Sequence, residues 1–530
     1  VVDGQLCTAA GIILQPGFNS LPVNIGDTVC LGPGDADRLG PGNRILRRDP
    51  AVVEGTCHKR QVGATLLGLA TGLAYVARSC LCNAENALCN RHGVAAPPFT
   101  GDFDRFTSYL HSVSNSVGLL YTDYLSVWTR QWLLKWPKRK QTDITQSTLN
   151  DELKPAEVKM MVKREALIKM PTKARGIQYY VNLCTQALFG AEFFSLQKSW
   201  TSWFCRRDVG HGVRLTFASG MNATALGEWM REVLASNPNT HFYERDGKNW
   251  DSTMQRPHLE LRLAAYACAG DDFARFVRAG FDVKGKVPRS GLAYRLRGTV
   301  KSGHNDTTLG NSIVNGGIIV EVMWALGLTG DIIITGDDAL VAISGDFDEH
   351  CFARHEATFG IVPEYRKFTN PMDVSFISGV WFPSSPSHWA FVPKPGRLLA
   401  RLFWSVRPPS ERARQRYLNS IVLGLRPSCQ ALPVIAAFLD AHFDAAAGTG
   451  GVVVDKRLDV WAAGHYQVNP VVLRAAFCSR YGLTDFQVAD AEGLLSSCHG
   501  LIGLVSHDTL DRIMAVDLAD VRDRPLTSSQ

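Results

Sequence analysis

No apolar, charge-free run in this 530-residue chain reaches the roughly 20 residues that span a bilayer. The nearest, Gln61 to Ala77 between Arg60 and Arg78, falls short and carries three glycines. A buried helix is expected there, not an anchor, and nothing later in the chain reads as a spanning helix. A disulfide pattern is also missing: the 13 cysteines are odd in number and scattered from Cys7 to Cys498, which points to a reducing, cytosolic setting. Cys80, Cys82, Cys89 and His92, with Cys57 and His58 upstream, are the one metal-like cluster. Their C-x-C-x6-C-x2-H spacing is not a paired-knuckle pattern, so ordinary buried thiols are favoured over structural zinc. No glycine-rich strand-loop-helix unit offers a nucleotide cradle, and LGPGDADRLGPG, Leu31 to Gly42, reads as loop. The opening VVDGQL has no initiator methionine, basic stretch or cleavage signature, as a processed product or trimmed fragment would.

A large excess of one sign of charge is missing too, with 56 Lys and Arg against 50 Asp and Glu. The net charge is +6 with 20% charged and 45% hydrophobic residues, which excludes global disorder and permits a polyanionic partner without requiring one. The length implies several domains or one multi-lobed enzyme. From about Gly101 the pattern turns helical, with Trp128, Trp132 and Trp136 at i+4 spacing leading into KWPKRK, Lys135 to Lys140. Such a stripe is more often core than a platform for bases, and the basic run after it reads as a solvated helix end. In KMMVKREALIKMPTKARGIQ, Lys159 to Gln178, cations alternate with apolar residues, as in an extended ribbon with one cationic and one packed face. A strand at Thr240–Asp246, helices after Asp251 and from Gly303 to about Leu326, and further strands to about Trp381 follow. The tail from Pro383 reads as helical, interrupted by AAAGTGG, Ala445 to Gly451.

What is there, and unusual, is IIITGDDALVAIS, Ile332 to Ser344: two adjacent carboxylates inside an apolar run. The flanks read as buried strands and Gly336 as the tight turn, which puts Asp337 and Asp338 at a hairpin tip. Asp beside Gly is ordinary turn chemistry, so alone this reads as a solvated turn. Buried acids otherwise need a cation or a metal. RDGKNWDS supplies Asp246 at a strand end and Asp251 beyond it. KSGHNDTTLGNSIVN, Lys301 to Asn315, places Thr307, Asn311 and Asn315 on one helical face, opposite Leu309, Ile313 and Val314.

The order of basic ribbon, D-x4-D, SG-x3-T-x3-N and GDD resembles motifs F, A, B and C of viral RNA-dependent RNA polymerases. Asp246 and Asp251 match motif A, Ser302, Gly303, Thr307 and Asn311 match motif B, and Gly336, Asp337 and Asp338 match motif C. EYRKF with Lys367 is similar to motif D, VSFISGVWFP to motif E, and GMNATALGEW resembles tombusvirus-like and nodavirus-like replicases of positive-strand RNA viruses. The likeness covers about Lys159 to Pro395. It implies an α+β right hand: an N-terminal extension of unknown role over 1–100, fingers over 101–242, a palm with a small antiparallel sheet over 243–381 into which fingers residues 256–298 insert, and a thumb and tail over 382–530.

The resemblance further implies two-metal nucleotidyl transfer with Mg²⁺, or Mn²⁺ as substitute, held by Asp246, Asp337 and Asp338. Lys163, Lys169, Lys173 and Arg175 would meet the triphosphate, Arg175 through a bidentate fork. Lys367 would give a proton to pyrophosphate. Asp251 and Asn311, with Ser302 or Thr307, would read the 2′-hydroxyl, which sets the chain apart from reverse transcriptases. Implied partners are template and product RNA, ribonucleoside triphosphates and viral or host replication proteins, in the host cytoplasm or in membrane-associated complexes. A reverse transcriptase and an inactive RNA-binding scaffold are the alternatives.

Overall fold

The computed structural model describes residues 79–524, with breaks at 94, 164–165, 168–173, 248, 289–290, 402–403, 406–409, 449–467, 498–502 and 522, and only short strand segments before residue 79. The described chain is mixed α/β. Its centre is a six-stranded sheet in the order Arg207–Asp208, Val213–Phe217, Gly330–Thr335, Asp338–Ser344, Thr240–Gly247, Pro363–Phe368. An all-antiparallel sheet is the sequence expectation, and one pair departs from it: Val213–Phe217 runs parallel to Gly330–Thr335. A parallel pair needs a crossover of a dozen or more residues, and the chain between Phe217 and Gly330 supplies one many times that length.

Both faces of this sheet are covered. On one face the helix Thr307–Leu326 lays Ile313, Val314 and Ile318 against Ile332, Ile334 and Val341. On the other, Phe242, Ile333, Leu340, Ala342 and Phe368 pack with Trp381 and Phe391. Two-sided burial is why the hairpin strands read as continuous apolar runs and not as alternating ones. Thr307–Leu326 is also long and apolar enough to cross a membrane, which the sequence reading overlooked, but it is mostly buried in this core.

A second sheet runs Gly176–Tyr180, Glu157–Val162, Asp282–Lys286, Ala293–Arg297, Arg44–Arg47. Its first two strands are the basic ribbon, and Val158, Met160 and Val162 form the expected packed face. Beyond Asp373 a hairpin, Gly379–Ser385 with His388–Pro393, joins the helices Glu411–Cys429, Ile435–Ala441, Pro470–Tyr481, Asp485–Ser497 and Asp508–Leu518 in one cluster. The tail is therefore helical as expected, after a strand pair that extends past Pro383. Within AAAGTGG, Ala445–Ala447 is a short 3-10 turn and the residues after Gly448 lie outside the described ones.

Two local expectations need correction or refinement. Gln61–Ala77 holds the strands Val62–Thr65, Leu67–Leu69 and Tyr75–Ala77 where a helix is expected. The β-branched and aromatic residues spaced between its glycines suit strands better than a helix that those glycines would weaken. In the tryptophan stripe, Trp132 is buried with Ile144 and Ala187 and meets Trp136 edge-on at 6.1 Å, the core reading. The side chain of Trp128 lies outside the described residues. The basic run is the solvated stretch expected, with Lys135, Lys138 and Arg139 exposed, while Lys140 also caps the Trp136 ring at 3.5 Å and Lys135 the Phe194 ring at 3.3 Å.

Candidate active site

Strand register sets the carboxylates side by side. Arg245 pairs with Ala339, so Asp246 and Asp338 are the next residues on neighbouring strands, and Asp246 pairs with Glu364 on its other side. Gly336, at φ 66°, makes the turn that aims Asp337 out of the hairpin. That turn is tied from below by the helix Thr307–Leu326. Ser312 Oγ accepts from Gly336 N at 2.8 Å, and Asn315 Nδ2 donates to the carbonyls of Gly336 and Asp337 at 3.2 and 3.0 Å. Asn315 Oδ1 in turn accepts from Arg245, which forms a fully buried ion pair with Glu356 at 2.8 Å. Of the polar helix face read from the sequence, Asn315 thus reaches the hairpin, while Asn311 is buried against Arg262.

The three acids repel one another. Withdrawal from bulk water and then the charges of Asp337 and Glu364 hold the Asp246 carboxyl above the usual carboxylate range. The Asp338 side chain is reached by solvent yet sits low in a concave cleft, where desolvation, then Asp337 and Asp246, push it up to about 7, against the opposing charge of Arg397. A group whose folded pKa is raised makes the folded state lose stability as pH climbs from its unfolded value, about 4, to its folded one. Metal-free protein is therefore expected to melt at a lower temperature at pH 8 than at pH 5 on account of this group, and Asp338→Asn to flatten that dependence in a thermal scan.

Three oxygen-bearing, charge-rich side chains suit a hard divalent cation. Among the described residues no three His, Cys, Asp or Glu side chains form a ready-made cage. Mg²⁺ does not demand one, since it commonly takes one or two carboxylates and completes its shell with water and substrate phosphate.

Asp251 is buried on the short helix Trp250–Thr253. Burial raises its carboxyl, as does Asp337, while Arg91 and a hydrogen bond from Ser302 oppose the rise. The loop carrying Ser302 is docked on the basic ribbon: Ser302 O accepts from Gln178 N at 2.7 Å. Gly303, at φ 99°, lies so near that a Cβ would come within 2.4 Å of Ile177 and 2.7 Å of Gln178 O. Gly303→Ala is expected to destabilise the fold by about 1–3 kcal/mol through backbone strain and overpacking. Urea unfolding checks this, and an unchanged midpoint would contradict it.

The remaining expected site residues fall into different positions. Lys163 and Arg175 meet at the end of the ribbon, where Lys163 N donates to Arg175 O at 2.7 Å; Lys169 and Lys173 lie outside the described residues. Thr307 donates its hydroxyl to His304 O at 2.8 Å, within its own loop. Asn311 is buried and accepts from Arg262, which also pairs with Asp306 at 3.4 Å. Lys367 is not brought to the carboxylates. It pairs with Tyr243, so it leaves the sheet on the face opposite Asp246, and its Nζ meets Asp346 at 2.9 Å and Phe347 O at 3.0 Å. Adjacent strand residues point to opposite faces, and a single position off the Glu364 and Arg366 alternation moves this lysine away.

Among the described residues the zinc-like cluster forms no group of three metal ligands, and Cys57 and His58 lie outside those residues. Cys80 caps the helix Leu81–His92, accepting from Asn83 N at 3.5 Å. Both His92 ring nitrogens have protein partners, Nε2 with Gln178 at 2.7 Å and Nδ1 with Thr299 Oγ1 at 3.0 Å, and burial drives its pKa down to about 3.

Other residues at the site escaped the sequence reading. Glu244 shares the Asp246 face of its strand and is buried. It accepts from Ser375 N and Oγ at 2.7 and 2.6 Å and from Arg524 at 2.7 and 2.8 Å. A cavity of about 290 Å³ opens there, lined by Asp246, Asp338, Lys394, Arg397, the segment from Asp517 to Val521, and Arg524. The alternation of THFYERD was a signal for Glu244; nothing marked Arg524 or Arg91. No protein-family model matches the chain, and no curated protein matches its sequence.

Proposed function

We propose that this chain is an RNA-directed RNA polymerase of a positive-strand RNA virus, a right-handed α+β enzyme that copies RNA from ribonucleoside triphosphates with Mg²⁺ or Mn²⁺. The observation that carries this reading is the register placing Asp246 beside Asp338 at a hairpin tip held by Ser312 and Asn315, with both carboxyls raised by desolvation and then by the charge of Asp337. Titratable groups perturbed by specific charge neighbours in a cleft are functional-site candidates. In the motif order of the sequence, phosphoryl chemistry is the reading that uses all of them.

Asp246 and Asp337, with Asp338 beside them, would hold the cations. Bound there, the metals supply a more acidic primer 3′-hydroxyl and a neutralised triphosphate. The chain's own work is placement. The buried Arg245–Glu356 pair and Asn315 fix the carboxylates, and the Ser302 loop, docked on the ribbon, sets Asp251 where a ribose hydroxyl can meet it. Arg175, exposed at the ribbon end beside Lys163, suits the triphosphate through a guanidinium fork. Lys367 has no part in this scheme, since its ammonium is tied to Asp346 on the other face. Template and product RNA, viral or host replication proteins and a cytoplasmic or membrane-associated replication complex belong to the same reading.

The test is incorporation of labelled ribonucleotides on primed homopolymer templates with Mg²⁺. Only the ribonucleotide complementary to each template is expected in product. Preferential uptake of deoxynucleotides would make the chain a reverse transcriptase, and RNA binding without synthesis a scaffold.

A further inference from the structure

The helix Leu81–His92 lies in the part of the chain for which the sequence offers no role, yet its last turn reaches the nucleotide end of the site. Arg91 Nη1 donates to Asp251 Oδ2 at 2.6 Å, and the Asp251 side chain is 7% exposed against 25% for Arg91. The neighbouring His92 bolts the same turn to Gln178 of the ribbon and to Thr299, just ahead of the loop that carries Ser302. Val300 N closes the arrangement by donating to Asp251 O at 3.3 Å. One helix end therefore joins the three elements that surround Asp251.

We infer that Arg91 is a positioning residue for sugar selection: its guanidinium, at Oδ2, orients the Asp251 carboxylate as the acceptor to which a 2′-hydroxyl on the incoming nucleotide donates. The inference rests on the polymerase reading and deepens it. A buried carboxylate without a cation takes up a proton and becomes a donor as well as an acceptor. An ionised one only accepts. A ribose hydroxyl can satisfy its remaining acceptor position, whereas a 2′-deoxy sugar leaves that buried acceptor without a donor, which is how a polar site rejects an analogue lacking one group. Arg91 also occupies Oδ2, so only part of the carboxylate is left for Ser302 and the sugar. A helix C-terminus, where the dipole favours cations, is a suitable mount for it.

The experiment compares kcat/KM for a ribonucleotide and its 2′-deoxy analogue in wild type, Arg91→Met and Arg91→Lys, on a primed RNA template with Mg²⁺. Arg91→Met is expected to lower the ribo-to-deoxy preference by roughly tenfold or more, through a higher KM for the ribonucleotide, because one charge-assisted hydrogen bond carries that much discrimination. Arg91→Lys, which keeps the charge, is expected to recover part of the preference. A purely structural role would lower both rates together and leave their ratio unchanged, and that result overturns the inference. If Arg91→Met does not fold, Arg91→Gln, which also removes the charge, takes its place, and an unchanged ratio there does the same. Wild type that makes no RNA would overturn the polymerase reading and this inference with it, whereas wild type that discriminates while the variants discriminate equally overturns the inference alone.

Discussion

Asp246→Asn is expected to lose at least about 10³-fold in the rate of nucleotide addition while folding as stably as wild type or more so. The loss follows from the chemistry: a carboxylate that helps hold a metal contributes several kcal/mol to the transition state, and about 4 kcal/mol is a thousandfold. The stability gain follows from electrostatics. Asp246 is held above the usual carboxylate range by its surroundings and by Asp337 and Glu364, so its charge works against the metal-free fold. Asparagine keeps the shape and removes the charge. Primer extension beside thermal unfolding measures both halves, and Mg²⁺ should raise the melting temperature of wild type more than that of the variant. A variant that loses activity because it melts early would contradict this account of Asp246.

Arg524→Ala is expected to destabilise the protein by about 3–5 kcal/mol, the usual result of removing one partner from a buried, hydrogen-bonded ion pair. Glu244 is buried, and burial alone would raise its carboxyl. Arg524, by charge and by hydrogen bonds, then Lys394 and Ser375, bring it below its ordinary value instead. A depressed carboxylate stabilises the fold above its unfolded pKa and loses that contribution as pH falls through the folded one. Without Arg524, Glu244 keeps only Lys394, whose own pKa burial pushes down to about 8, and the Ser375 bonds. Wild type should therefore lose stability on acidification below about pH 4, and the variant should lose that dependence and gain from protonation of Glu244. Urea unfolding across pH separates the two. A change under about 1 kcal/mol would mean that the contact between the C-terminal segment and the Glu244 strand contributes little.

How much of this could be read beforehand depended on distance along the chain. The hairpin, the helix from Thr307 to Leu326 and the strand ending at Asp246 were legible because each is a local pattern: β-branched runs, a glycine at a turn, a 3.6-residue repeat. Gly303 was legible as part of a loop, but not its reason, a contact with Ile177 and Gln178 far back in the ribbon. The sheet face that Lys367 takes was not legible, because the motif spacing does not say which face an alternate residue takes. The strand Val213–Phe217 entered the central sheet in parallel, a pairing set by a long crossover that no local pattern encodes. Arg91 and Arg524 were invisible for the same reason: a single arginine carries no mark of the buried carboxylate it meets, 160 residues away for Asp251 and 280 for Glu244.

Primer extension on an RNA template, with and without Mg²⁺, in wild type and Asp337→Ala, bears most directly on the carboxylate site. Extension by wild type that needs the metal and disappears in Asp337→Ala, with the variant's fold intact by circular dichroism, is the expected result. Extension that persists at wild-type rate in Asp337→Ala would contradict the assignment of the hairpin tip as the catalytic centre.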